Sequence, residues 1–176
     1  MRHLKQLVFI GIICSLICCN QKVENDSIKS TSTSKVKLEK TNYISNDSLT
    51  ETFLNDLYVL TSKHLLKTKK ETIKNKHIKD TLIIDTLVKK SFKKSYFEIY
   101  KSSFKETLYK AKITDNNFFI GNYITVGIPK SKFEKIIKQK VNNDTIEVGN
   151  LENTYVFKFM FKNNILSEIF FSAHLD

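Results

Sequence analysis

Three thiols could do chemistry in this chain, and all three, Cys14, Cys18 and Cys19, stand within its first 19 residues. A thiolate serves as nucleophile, metal ligand or disulfide partner. With no cysteine after position 19, the body of the chain is denied each of these roles. The other ionisable candidates do not gather in sequence. His64, His77 and His174 are far apart, so their spacing predicts neither a metal site nor a triad. Glu147 with Glu152 has the residue types for general acid and base work, but their surroundings read as solvated strand ends. Gly-x-Ser-x-Gly and His-Glu-x-x-His are absent. A phosphate-cradling loop would have to be built from Gly11, Gly121, Gly127 and Gly149 alone. The expectation is a protein with no catalytic residue, no metal and no cofactor.

The thiols make sense in their local setting. Arg2, His3 and Lys5 form a basic start, and the apolar run that follows covers residues 7–19. A membrane-spanning helix needs about 20 apolar residues, so this run suits the core of a signal peptide instead. No later stretch could span a bilayer, because Lys, Asp or Glu interrupts each candidate. The run closes on Leu16-Ile17-Cys18-Cys19 and turns polar at once in Asn20-Gln21-Lys22. This segment resembles the lipobox of bacterial lipoproteins, in which a Leu stands three residues before the cysteine that becomes the acylated N-terminus. The resemblance implies a signal peptide over 1–18 and lipidation of Cys19, with Cys18 as the second choice of frame. Two or three fatty-acid chains of the palmitate class would make a durable anchor, where one chain holds only marginally.

Composition separates a tether from a domain. The chain has 176 residues, 41% hydrophobic and 27% charged, with 1 Pro and 4 Gly, which excludes collagen-like, Pro-rich disordered and disulfide-scaffold classes and fits one ordinary domain. Over residues 21–42 the only aliphatic residues are Val23, Ile28, Val36 and Leu38, against seven Ser and Thr. Such a segment cannot bury enough surface to offset its ordering entropy. Residues 19–46 therefore read as a lipidated N-terminus and flexible tether, with a random-coil reach of about 25 Å, and 47–176 as the domain. Asp26-Ser27-Ile28 resembles the Asp-Ser/Thr-aliphatic acceptor of periplasmic O-glycosylation in Bacteroidota, which makes Ser27 a candidate. The same pattern at Ser48, Thr81, Thr86 and Thr145 is what chance supplies in a chain rich in these residues.

Within the domain, Ser48 and Glu51 read as a capping box, and Leu49, Phe53, Leu57 and Leu60 recur at helical spacing, predicting a helix over 49–66 whose stripe His64 extends. Strands are expected over 82–88 and over 95–101, the latter with Tyr96, Glu98 and Tyr100 on one face and Phe97 and Ile99 on the other. Residues 104–113 read as strand or helix, and the short Ser102-Ser103 link tips the balance to strand. Phe133, Ile136 and Ile137 share a helical face behind Pro129, a residue suited to a first helical turn. Strands over 145–148, 155–162 and 165–172 follow, with Asn163-Asn164 as a tight turn between the last two. The expected fold class is α+β: one antiparallel sheet with helices packed on one face, in an α-βββ pattern that occurs twice.

Two further resemblances follow from these residues. Tyr123-Ile124-Thr125-Val126-Gly127-Ile128-Pro129-Lys130, with the Phe161-Lys162-Asn163-Asn164-Ile165-Leu166 hairpin, is similar to the strand, glycine, helix and meander of SmpA/OmlA-type outer-membrane lipoproteins and of β-lactamase-inhibitor-protein-like folds. It covers about the last third of the chain. The whole chain is similar to uncharacterised lipoproteins of Bacteroidota. These resemblances imply binding or envelope assembly and carry over no catalytic residue.

Charge is the one uneven property. From Lys63 to Lys112 there are 15 Lys against 5 acids, while the remainder of the processed chain is nearly neutral. Lys89, Lys90, Lys93 and Lys94 crowd one expected strand turn and form the candidate surface for an anionic partner, whether anionic lipid, acidic glycan or an acidic envelope protein. Lysine lacks the bidentate fork of specific phosphate sites, and a general richness in Lys explains the excess equally well. Nucleic acid is not an expected partner of an envelope protein. The first functional expectation is a lipid-anchored cell-envelope protein that binds a macromolecule without catalysis. The second is an inhibitor or immunity-type protein acting on a periplasmic hydrolase, and the third is an enzyme acting on glycans or lipids.

Overall fold

The strongest alternation in the chain lies near its C-terminus, and the fold is built outward from it. A computed structural model describes residues 42–74, 84–121 and 123–174. Its elements, in chain order, are β1 (Asn42–Ser45), α1 (Asp47–Thr61), β2 (Lys67–Lys74), β3 (Ile84–Phe92), β4 (Ser95–Lys101), β5 (Glu106–Ile113), α2 (Lys130–Ile137), β6 (Thr145–Gly149), β7 (Tyr155–Lys162) and β8 (Ile165–Ala173). The eight strands form one sheet in the order β1-β6-β7-β8-β5-β4-β3-β2. Asn163 and Asn164 both take positive φ, 52° and 59°, which matches the turn twist that joins β7 to β8 tightly.

The sheet is mixed and dominates the fold. β1 runs parallel to β6, and every other neighbouring pair is antiparallel. This corrects the expected all-antiparallel sheet. The strand count is corrected too. The first half carries four strands after its helix, β2 to β5, and the second half gains β1 at its edge. β1 falls within the expected tether 19–46, so the sheet starts before residue 47. β2 has no counterpart among the expected elements. Its eight residues include four lysines and a single aliphatic, and so carry no apolar periodicity.

Local chemistry sets the helix ends. The Asn46 Oδ1 accepts from the Leu49 N–H at 2.9 Å, so Asn46, and not Ser48, caps α1. The helix stops at Thr61, five residues short of the expected end, and His64 lies exposed beyond it instead of extending the stripe. Pro129 stands at the N-cap of α2 with φ −64° and ψ 146°, one residue outside the helix. β3 runs on to Phe92, past the expected end at 88, and β5 starts at Glu106, leaving Phe104 exposed. Where the resemblance implies a strand around Tyr123, Ile120 and Ile124 form an isolated antiparallel bridge.

Aromatic rings join the layers. Phe157, Phe159 and Phe161 alternate along β7 and point to one face. Phe53 of α1 meets Phe157 and Phe159 at 5.2 and 5.6 Å between centroids, edge to face. Phe133 of α2 meets Phe159 and Phe161 at 4.7 and 5.3 Å. Phe118, in the connector after β5, packs on Phe92 and Phe97. Each of these sheet residues lies on the face shared with Phe157, as the cross-strand register requires. That face is the core, and among the described residues no helix covers the other face.

Candidate functional site: the helix-free face of the sheet

Strand residues alternate between faces, so the register fixes which side chains line the side away from α1 and α2. Across the centre of the sheet they run Glu147 (β6), Lys158 (β7), Phe170 (β8), Lys112 (β5) and Tyr96 (β4), each opposite the next in the register. All five are half-buried. The row is a ladder of rings and cross-strand ion pairs. Lys158 Nζ lies 2.8 Å from Glu147 Oε1, Lys112 Nζ 2.8 Å from Glu168 Oε2, and Lys89 Nζ 3.0 Å from Glu98 Oε1. Lysines also stack on the rings. Lys89 Nζ is 4.3 Å from the Tyr96 centroid and Lys110 Nζ 5.7 Å from that of Phe170.

A bulge between Glu98 and Ile99 adds a residue to the β5 side of the ladder and turns Tyr109 onto this face. Its hydroxyl donates to Glu98 Oε2 at 3.2 Å. Burial first, and then the Glu98 carboxylate, push the Tyr109 phenol up to about 12. Near the β2 edge, Tyr100 donates its hydroxyl to Asp85 Oδ2, and this bond with burial raises the Tyr100 pKa. Asp85 is itself buried, and its Oδ1 has no hydrogen-bond partner.

This arrangement offers rings and paired charges for contact. Glu147, Glu168 and Glu98 of this face are paired with lysines, and Glu98 and Asp85 also accept from tyrosine hydroxyls. Among the described residues no group of three or more His, Cys, Asp or Glu could hold a metal ion. Rigid half-exposed aromatic rings, fixed by paired charges, are instead the residue types that anchor interfaces.

The structure disperses the lysines singled out in the sequence. Lys89 is on the helix-free face, paired with Glu98. Lys90 points to the core face, where its Nζ donates to the Thr61 carbonyl at 2.8 Å and closes the C-terminus of α1. Lys93 and Lys94 form the turn between β3 and β4, and Lys93 Nζ lies 2.6 Å from Asp115 Oδ2. Only Lys94 is exposed without a described partner. The four do not make one anionic-partner surface. Glu147 is taken by Lys158, and Glu152 is exposed in the following turn, so the two do not converge as acid and base. His174 is exposed at the end of the sheet. Cys18, Cys19, Ser27 and His77 lie outside the described residues.

Sequence reading missed Tyr109, Lys110, Lys112, Glu168 and Phe170 as a group. Alternation along β5 and β8 assigns Lys110, Lys112, Glu168 and Phe170 to the polar side of their strands, whereas Tyr109 reaches that side only through the bulge, and no sequence signal pairs β5 with β8. No protein-family model, curated protein or solved structure matches the chain. No helix among the described residues is long and apolar enough to cross a membrane.

Proposed function

We propose that this is a lipid-anchored protein of the cell envelope that binds another macromolecule through the helix-free face of its sheet, without catalysing a reaction. The signal-like start and the Leu16-Ile17-Cys18-Cys19 segment support the anchor at Cys19. The single observation that carries the binding reading is the ladder of Tyr96, Tyr109 and Phe170 among cross-strand ion pairs. Opposite charges nearly cancel on this face, so the fitting partner is a macromolecular surface of mixed polarity and not a polyanion. We read the architecture as α+β, with two α-β-β-β units meeting at β5 and β8 and one edge strand added to each.

The test has two arms. Cys19→Ser should release the protein from the membrane fraction and remove the acyl mass. A variant that still fractionates with membranes overturns the anchor. Independently, a photo-crosslinking amino acid is placed in cells at Phe170, at Tyr96 and, as a control, at the exposed helix residue Val59. The proposal expects one adduct of constant mass from both sheet positions and none from Val59. Equal or absent crosslinking at all three positions refutes the binding face.

A further inference from the structure

The sheet ends on β2, and its physical character differs from that of the helix-free face. β2 pairs with β3 over all eight of its residues, Lys67 to Lys74, with no shift in register. Residues 67–72 are all exposed. Every second backbone N–H and C=O of such a strand points away from its partner, and among the described residues none of these groups on β2 has another strand to meet. The other edge, β1, is only four residues long. Short edges resist strand addition, whereas a long, unbulged edge invites it.

Charge selects what can add there. Lys67 and Lys69 point to one face of the edge and Lys70 to the other, as the alternation requires. Lys67 and Lys70 have no ion-pair partner among the described residues, and Lys69 has only an exposed contact with Glu71 at 4.0 Å. A second copy of this chain pairing edge to edge would bring these lysines together, so self-addition is opposed. An anionic bilayer would also attract the lysines. However, the chain enters the sheet through β1, at the opposite edge and seven strand spacings away, about 33 Å. For a protein anchored through its N-terminus, β2 is then the sheet edge opposite the strand by which the chain enters. A bilayer also has no use for an open backbone ladder.

We infer that β2 is a strand-addition site for an extended acidic polypeptide segment, which would lie along the edge as a ninth strand. Its backbone would complete the ladder, and its Asp or Glu side chains would meet Lys67, Lys69 and Lys70 across the new pair. The ladder of this site lies at the sheet edge, with Lys67 and Lys69 on the same side of the sheet as Lys89, and Lys70 on the other. Only the preference for a peptide over the bilayer rests on the N-terminal anchor.

The probe is a short synthetic peptide alternating Glu and Thr, offered to the full-length protein, with a Lys-Thr peptide and anionic phosphatidylglycerol vesicles as comparators. Binding is measured by calorimetry and by hydrogen–deuterium exchange. The Glu-Thr peptide should bind and slow exchange across 67–74, and the Lys-Thr peptide should not. The triple variant Lys67→Glu, Lys69→Glu, Lys70→Glu should lose at least about tenfold in affinity for the Glu-Thr peptide, each lost cross-strand charge pair costing a few-fold. It should gain the Lys-Thr peptide instead. The variant is compatible with folding, because position 69 faces Lys89 across the pair and a Glu there replaces a like-charge contact. Glu-Thr peptide binding without protection of 67–74, or affinity unchanged in the variant, overturns the inference. So does charge-dependent vesicle binding in the absence of peptide binding, which would make the edge a lipid-facing patch. Failure of the anchor at Cys19 would show in fractionation and leave the peptide arm readable.

Discussion

Gly121 is where the fold leaves no room, and replacing it with Ala tests the packing argument most directly. Gly121 has φ +52°, and an added Cβ would fall inside van der Waals contact with the Phe53 ring. Phe53 is fully buried and holds α1 against β7. The Gly121 N–H is also tied to Asp56 Oδ2 at 2.6 Å, so the turn cannot easily retreat. Two costs follow. A left-handed backbone costs a non-glycine residue roughly 1 kcal/mol, and forcing an extra carbon into a packed core costs about 1–3 kcal/mol. Gly121→Ala should therefore destabilise by about 2–4 kcal/mol, or roughly 6–16 °C in Tm for a domain of this size. Urea unfolding followed by far-UV circular dichroism suits a chain with no Trp, and an unchanged m value would show that only stability moved. Phe53→Leu removes the ring from the contact. If the steric share is real, the double variant should be less destabilised than the sum of the single variants by about 1–3 kcal/mol. Gly127 is the control, with φ +98° and no atom within 4 Å of where a Cβ would stand. Gly127→Ala should cost only backbone strain and add independently to Phe53→Leu. Additivity of Gly121→Ala with Phe53→Leu to within about 0.5 kcal/mol would refute the reasoning.

Two other outcomes are expected. Lys90→Met keeps the apolar stem and removes the charge that closes α1, whose last turn has no basic residue of its own. It should cost about 1–2 kcal/mol in chemical unfolding and speed amide exchange in the last turn of the helix, while Lys94→Met should do neither. Acid stability should trace to two carboxylates. Lys93, then the Asn117 N–H, hold the Asp115 carboxyl below its ordinary range, and the Val141 N–H, then Lys140, do the same for Glu134. A lowered folded-state pKa stabilises above the unfolded value and is lost as pH falls through the folded one. The Asp115→Asn, Glu134→Gln variant should thus show a shallower loss of unfolding midpoint below about pH 4.5 than the parent protein. An unchanged acid limb would contradict the assignment.

How much was legible follows the range over which each signal acts. The alternation of β4 and β7, the helical stripe Phe53-Leu57-Leu60 and the Asn163-Asn164 turn were all readable, because each is set by residues a few positions apart. β2 was invisible because an edge strand on the open side of a sheet need not bury either face, so lysines and threonines serve there as well as aliphatics. β1 was hidden for a related reason: Ile44 alone of its four residues is buried. The lysines at 89–94 looked like one patch because sequence measures distance along the chain, while a pleated strand sends Lys89 and Lys90 to opposite faces and the tight turn brings Lys93 to Asp115.

The sequence alone determined that the body of the chain is free of thiols, that it alternates strongly enough to build a sheet, and that it carries its positive charge in the first half. Only the tertiary structure decided which strands meet. The pairing of β5 with β8 and of β1 with β6 joins residues too distant for any local pattern to encode. Both the row of rings on the helix-free face and the lysine edge of β2 depend on that choice, because a face and an edge exist only once strands have partners.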